Sequence, residues 1–203
     1  FVRLIDNAFK FTKDGHIESG RKVKKSGIEL SEYVVLGMGG RKWWKEHVDD
    51  TSDVLNAINP DFIRFRTLKV TKDMPLFEKV ECGDFVISSE EEIIKEERSL
   101  IERLNGITSY IKSDHILNLL EEIEGKLPED KEKMLRIIDD FTSLGDEQRL
   151  TFRFGRRAGI YRRLNDLNDE LTYFKIRKQI REMEQKEPGS VEKTLSLLLE
   201  NYI

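Results

Sequence analysis

Cysteine is nearly absent: Cys82 is the single thiol in 203 residues. An intramolecular disulfide, a thiolate zinc site and a cysteine-ligated iron–sulfur cluster therefore cannot be built from this chain alone. Long apolar runs are missing too. No stretch approaches the about eighteen consecutive apolar residues that a membrane span requires, and no signal-peptide pattern is present, so the expected location is cytoplasmic. Nor does charge of one sign dominate. Lys plus Arg is 35 and Asp plus Glu is 39, giving a net charge of −4, which argues against a general polyanion binder. Internal repeats and low-complexity tracts are also absent. The chain opens at Phe1 without an initiator Met, entering mid-pattern at Phe1-Val2-Arg3-Leu4-Ile5. It is expected to be part of a longer polypeptide whose remainder carries part of the chemistry.

What is present reads as α/β in the first third and mainly helical afterwards, with a division expected at 1–88 and 89–203. Asp14 is a candidate N-cap, Ile17, Gly20 and Val23 follow at threefold spacing, and Gly27 is a natural left-handed stop. Leu30–Leu36 ends in four continuous apolar residues, as in a strand buried on both faces. Gly37-Met38-Gly39-Gly40 breaks it. A helix then carries Trp44, Val48, Thr51, Leu55 and Ile58 until Asn59-Pro60, where proline cannot continue the ladder. Phe62–Leu68 is the next strand. Strand, glycine turn, helix and strand make a right-handed βαβ unit.

Residues 71–88 show no clean period and read as a connecting loop. Ser89-Glu90-Glu91-Glu92 is a capping box opening a helix with Ile93, Glu97, Leu100, Ile101 and Leu104 on its stripe, closed by Gly106. A short strand is expected within Ile107–Lys112. Beyond it the spacing predicts helices: Ile116, Leu119, Leu120 and Ile123 on one, Met134 to Phe141 on another, and Leu164, Leu167, Leu171, Phe174, Ile180 and Met183 along a long third. Pro188-Gly189-Ser190 precedes the last, about Val191 to Tyr202.

Several segments resemble the radical S-adenosylmethionine (radical SAM) superfamily, closest to an uncharacterised branch labelled Fe–S oxidoreductase. Tyr33-Val34-Val35-Leu36-Gly37-Met38-Gly39-Gly40 looks like the apolar strand and glycine turn of the later half of a radical SAM barrel. Phe62-Ile63-Arg64-Phe65-Arg66-Thr67-Leu68 looks like its next strand, and Met74-Pro75-Leu76-Phe77 like the element that follows. Ser113-Asp114-His115-Ile116-Leu117-Asn118-Leu119-Leu120, Glu124-Gly125-Lys126-Leu127-Pro128 and Phe154-Gly155-Arg156-Arg157 are similar to runs of that branch. The likeness covers roughly residues 14–163. It implies a partial parallel-stranded barrel segment followed by a helical region, contributing to a SAM- and [4Fe–4S]-dependent oxidoreductase. The defining Cys-x-x-x-Cys-x-x-Cys loop is absent, and Arg41 follows the glycines where several members carry a glutamate. The implied partner is the N-terminal half of the same polypeptide, with a small molecule or RNA as substrate. A barrel fragment with uncovered strands is expected to self-associate.

Candidate cofactor contacts on this reading are Leu36, Gly37, Gly39 and Gly40 at the end of the first strand, and Arg64 and Arg66 on the second. Glycines there admit a ligand to the backbone; equally, they serve a tight βα turn. The spacing is not the G-x-G-x-x-G dinucleotide fingerprint. Arg64 and Arg66 share one strand face, suited to a carboxylate if that face is interior and to salt bridges if it is not. Asp114-His115 reads as a cap, Cys82 as an inert small residue, Trp44 as core and Trp43 as available to a ligand or partner. Glu121, Glu122 and Glu124 read as a solvated helix face. Arg149, Arg153, Arg156, Arg157, Arg162 and Arg163, with Phe152, Phe154 and Tyr161 among them, suit either nucleic acid or docking against the barrel. The alternative to an enzyme fragment is a non-catalytic module binding protein or RNA.

Overall fold

A computed structural model describes residues 2–200, and their side chains over 13–199. Helix α1 (Val2–Lys25) leads into strand β1 (Ser31–Leu36), helix α2 (Gly40–Ile58) and strand β2 (Phe62–Thr67). Helices α3 (Pro75–Glu81) and α4 (Glu90–Arg103) precede strands β3 (Tyr110–Lys112) and β4 (Glu124–Lys126). Helices α5 (Lys131–Ser143) and α6 (Asp146–Arg157), a 3-10 turn at Leu164–Asn168, and helices α7 (Glu170–Lys186) and α8 (Ser190–Glu200) follow.

The sheet order is β1-β2-β3-β4. The first three strands are parallel and β4 is antiparallel to β3. Right-handed crossovers between neighbouring strands taken in chain order put their packed helices on one face, and the burial alternation agrees for α2 and α4. Val34, Leu36, Ile63, Phe65 and Ile111 are buried against Val48 and Leu55 of α2 and Ile93, Ile94, Leu100 and Ile101 of α4. Tyr33, Arg64 and Lys112, register partners across three strands, point to the opposite, helix-free face. This settles the parity of the two arginines: they lie away from the helices. The apolar core is continuous from Val34 to Leu195, and β3 and β4, beyond residue 88, complete the sheet begun by β1 and β2.

Local signals act largely as the sequence implies. Gly27 takes φ +77°, and Asn59 closes α2 in the left-handed region with its N–H donating to Leu55 O. Ser89 and Glu92 form the reciprocal capping box, an arrangement worth about 1 kcal/mol. Several readings are corrected. The strand read as buried on both faces is buried on the helix side alone, with Tyr33 exposed on the other. Asp14 is no cap but an exposed residue inside α1, because the helical pattern runs through it from Val2. The loop expected at 71–88 contains α3, opened by Pro75 at its first position, where proline's missing N–H costs nothing. Residues 113–123 form no helix. Leu117, Leu119, Leu120 and Ile123 are buried in a turn-rich segment pinned by Ser113 and Asn118, while Ile116 is exposed. The long third helix is a 3-10 turn followed by α7, with Asp169 capping Thr172. Leu171 and Phe174 are exposed there, and Ile176 and Ile180 carry its packing.

Candidate functional site

The carboxyl ends of β1, β2 and β3 share one edge of the sheet, the edge where open α/β sheets bind ligands. Leu36 is buried at the end of β1, and Gly37 turns the chain with φ +88°. A Cβ on Gly37 would crowd only the movable Cδ1 of Ile93, at 2.8 Å, so it is the positive φ that demands glycine here. Its N–H donates to both carboxylate oxygens of Glu96, each at 3.1 Å. Glu96 is fully buried and lies 2.7 Å from Nδ1 of the largely buried His47. Gly40 has φ +54° and packs against Val86 O and the Phe85 ring; Arg41 N–H donates to Val86 O at 3.0 Å. The glycine turn is thus clamped between α4 and the 85–87 loop. Gly39 lies between them, against the backbone of Trp43.

Beside it, α4 buries a second carboxyl. Glu97 accepts from Ser113 Oγ at 3.1 Å. Asn118 Nδ2 donates to Ser113 Oγ at 2.9 Å and to Phe65 O at 3.1 Å, and Asn118 Oδ1 accepts from Thr67 Oγ1 at 2.9 Å. This network ties the ends of β2 and β3 to the middle of α4. Burial pushes the Glu97 carboxyl up to about 8, against the Ser113 hydrogen bond and with the charge of Glu96 adding to the rise. A carboxyl so raised is protonated at neutral pH and can donate.

On the helix-free face, Arg64 Nη1 donates to Asp114 Oδ2 at 2.7 Å and Arg66 Nη1 to Asp114 Oδ1 at 2.9 Å. Arg66 lies over the Tyr33 ring at 4.8 Å and Arg64 over Phe62 at 5.7 Å. Burial pulls the Asp114 carboxyl upward, but the hydrogen bond from Arg66 and the charges of both arginines outweigh it and hold the group below the usual carboxylate range. Burial lowers the His115 imidazole below its ordinary value, reinforced by the Arg66 charge against the opposing pull of Asp114. Its Nδ1 is buried and makes no hydrogen bond within the described residues.

No family model, curated protein or solved structure matches this chain. The site is therefore read from its own geometry. Of the residues singled out in the sequence, Leu36, Gly37, Gly39 and Gly40 form one end of the edge, and Arg64 and Arg66 meet on the face beside it. Asp114 joins the two arginines. Cys82 is exposed, and among the described residues no group of three or more His, Cys, Asp or Glu side chains is placed to hold a metal. An iron–sulfur cluster does not fit this chain's own ligands. The arginines of α6 are committed to ion pairs: Arg153 to Glu90 and Glu192, Arg157 to Glu90, Arg156 to Glu121, and Arg149 to Glu91 and Asp146. Arg157, 2 % exposed, also donates to the carbonyls of Ile116 and Leu117. They dock α6 and α8 onto α4 and the 113–123 segment. Glu121 and Glu122 belong to the same docking, Glu122 accepting from Leu164 N–H at 2.7 Å.

Sequence reasoning missed Glu96 and His47 and left Glu97 as one position on a stripe. A glutamate four residues after Ile93 and three before Leu100, on the apolar side of α4, is the signal that marks a buried carboxyl. Outside β1, a hollow of about 240 Å3 is lined by Lys13, His16, Glu32, Asp50, Val54 and Leu55. Its ionisable groups pair with one another, Lys13 with Asp50 at 2.8 Å and His16 with Glu32 at 3.3 Å. Among the described residues no helix is long and apolar enough to cross a membrane.

Proposed function

We propose that this chain forms the distal part of a radical SAM-type oxidoreductase, supplying barrel strands on the SAM side and a helical region that closes or extends the site. The observation that carries this reading is the single-sided winding. Parallel strands in sequential order, with all crossover helices on one face, are the way a βα barrel wall is built. The opposite face here bears arginines and aromatics, as the lining of a binding cavity does and a packed core does not. The segments that resemble the superfamily map onto that wall and onto the docked helices. Further barrel strands would pair with the open edge of β1.

On this reading the backbone around Leu36, Gly37, Gly39 and Gly40 and the side chains of Arg64 and Arg66 face SAM or the substrate. The cluster is held by thiolates elsewhere in the polypeptide, since Cys82 alone cannot hold it. In the superfamily the reduced cluster and SAM together supply hydrogen-abstraction chemistry. What this chain contributes is position. Glu96 and His47 fix the glycine turn from below, the Glu97–Ser113–Asn118–Thr67 network locks the ends of two strands, and the arginines offer a paired cationic contact. A buried, hydrogen-bonded support of this kind is what holds binding residues to sub-ångström geometry.

The test is anaerobic incubation of the intact polypeptide with SAM and a one-electron reductant. Formation of 5′-deoxyadenosine, diminished in an Arg64→Gln, Arg66→Gln variant, is the expected result. An intact polypeptide that holds no iron–sulfur cluster, and releases none of that product, would overturn the proposal and leave the non-catalytic interaction module.

A further inference from the structure

Arg64 and Arg66 are two residues apart on β2 and therefore project side by side from the same face. Each sends Nη1 to a different oxygen of one carboxylate, a bridging geometry that fits any planar or tetrahedral oxyanion of that span. Two guanidiniums against one carboxylate leave a positive excess, and Lys112, the register partner of Arg64 on β3, adds to it. The guanidiniums also lie over the rings of Tyr33 and Phe62, contacts that restrain both arginines apart from Asp114. Asp114 is not carried on a strand or helix. It lies in the turn segment after β3, with 43 % of its side chain exposed, and can leave by rotating about its own bonds. Next to it, His115 Nδ1 is buried without a hydrogen-bond partner, a polar atom that the present arrangement does not satisfy. Tyr33 presents a ring that is 59 % exposed directly beside the Arg66 guanidinium.

We propose that Arg64 and Arg66 form an oxyanion site that Asp114 occupies as an internal stand-in, and that the external ligand carries its carboxylate or phosphate on a flat apolar body resting against Tyr33. Asp114 acts as a competitor at the site, so the apparent affinity for the ligand is the intrinsic affinity scaled by the fraction of time that Asp114 is out. This inference concerns the same face as the proposed function but not the cluster chemistry. Either can fail while the other stands.

The probes are benzoate, phenyl phosphate and acetate, titrated into the 203-residue chain by calorimetry or by amide chemical shifts. Asp114→Asn removes the competing charge at nearly constant size. Both ring-bearing probes are expected to bind this variant at least tenfold more tightly than they bind the native chain, and Asp114→Ser should behave alike. Adding Arg64→Gln and Arg66→Gln to Asp114→Asn should abolish binding. Tyr33→Ala should weaken benzoate and phenyl phosphate more than it weakens acetate. A gain for phenyl phosphate alone identifies a phosphate ligand, and a gain for benzoate alone a carboxylate. Equal affinity in native and both Asp114 variants, or binding that survives loss of both arginines, overturns the proposal. Acetate binding the Asp114→Asn chain as tightly as benzoate overturns the flat apolar body.

Discussion

Glu97 gives the sharpest test of the site's energetics. Its carboxyl is fully buried, and burial raises it from its ordinary 4.5 to about 8. The folded state therefore holds a proton on Glu97 that the unfolded chain has already released between those two values. The unfolded state binds fewer protons, so stability falls as pH rises through this window. Stability from this group is fully present below pH 4.5 and is lost progressively up to pH 8, at about 1.4 kcal/mol per pH unit. Glu97→Gln reproduces the protonated acid's shape and keeps an oxygen for Ser113, but it has no proton to lose. Urea unfolding at pH 5 and pH 7 should show the variant gaining on the native chain by about 2–3 kcal/mol between the two conditions. The gain should appear as a shift in midpoint at unchanged slope. A difference between variant and native chain that stays constant from pH 5 to pH 7 would refute the reasoning, because it would place an ionised Glu97 in the fold at both.

Glu96→Ala should cost about 3–5 kcal/mol, since it strips the Gly37 N–H and the His47 ring of their shared acceptor in a buried place; a loss below about 1 kcal/mol in the same urea assay would show that the turn does not depend on it. Gly155→Ala should cost about 1–3 kcal/mol, because a Cβ there would overlap the ring of Tyr161. That ring is buried and stacked on Phe152 at 6.2 Å, so it has no room to retreat. A thermal unfolding midpoint equal to the native one would contradict this packing.

What the sequence discloses is what short-range chemistry decides. The capping box at Ser89 and the helix stop at Asn59-Pro60 each carry their meaning within a few residues and appear in the structure as read, whereas the apolar run Tyr33–Leu36 forms its strand but is buried on one face only, with Tyr33 exposed on the other. The 113–123 segment does not appear as read. Leu117, Leu119, Leu120 and Ile123 are buried by contacts with elements far along the chain, so their spacing mimics a helical stripe without a helix beneath it. Strands β3 and β4 have three residues each, too few for a period to register. Alternation placed Arg64 and Arg66 on one face of β2, but which face is inside depends on crossovers of two other segments, information that no window around residue 65 contains. Glu96 is hidden for a related reason. In a run of Glu90, Glu91, Glu92, Glu96 and Glu97, only the packing of α4 on β1 separates the buried pair from the exposed cap. The arginines of α6 read as a basic surface because their partners, Glu90, Glu121 and Glu192, come from three distant stretches.

On the proposed function, this wall belongs to a radical SAM barrel whose cluster ligands lie upstream in the polypeptide. Determining the reading frame ahead of Phe1, over about 200 further residues, tests it directly. A Cys-x-x-x-Cys-x-x-Cys loop following an apolar strand, with further βα units between it and α1, is the expected result. An upstream frame without that loop, or an initiator codon immediately before Phe1, would contradict it.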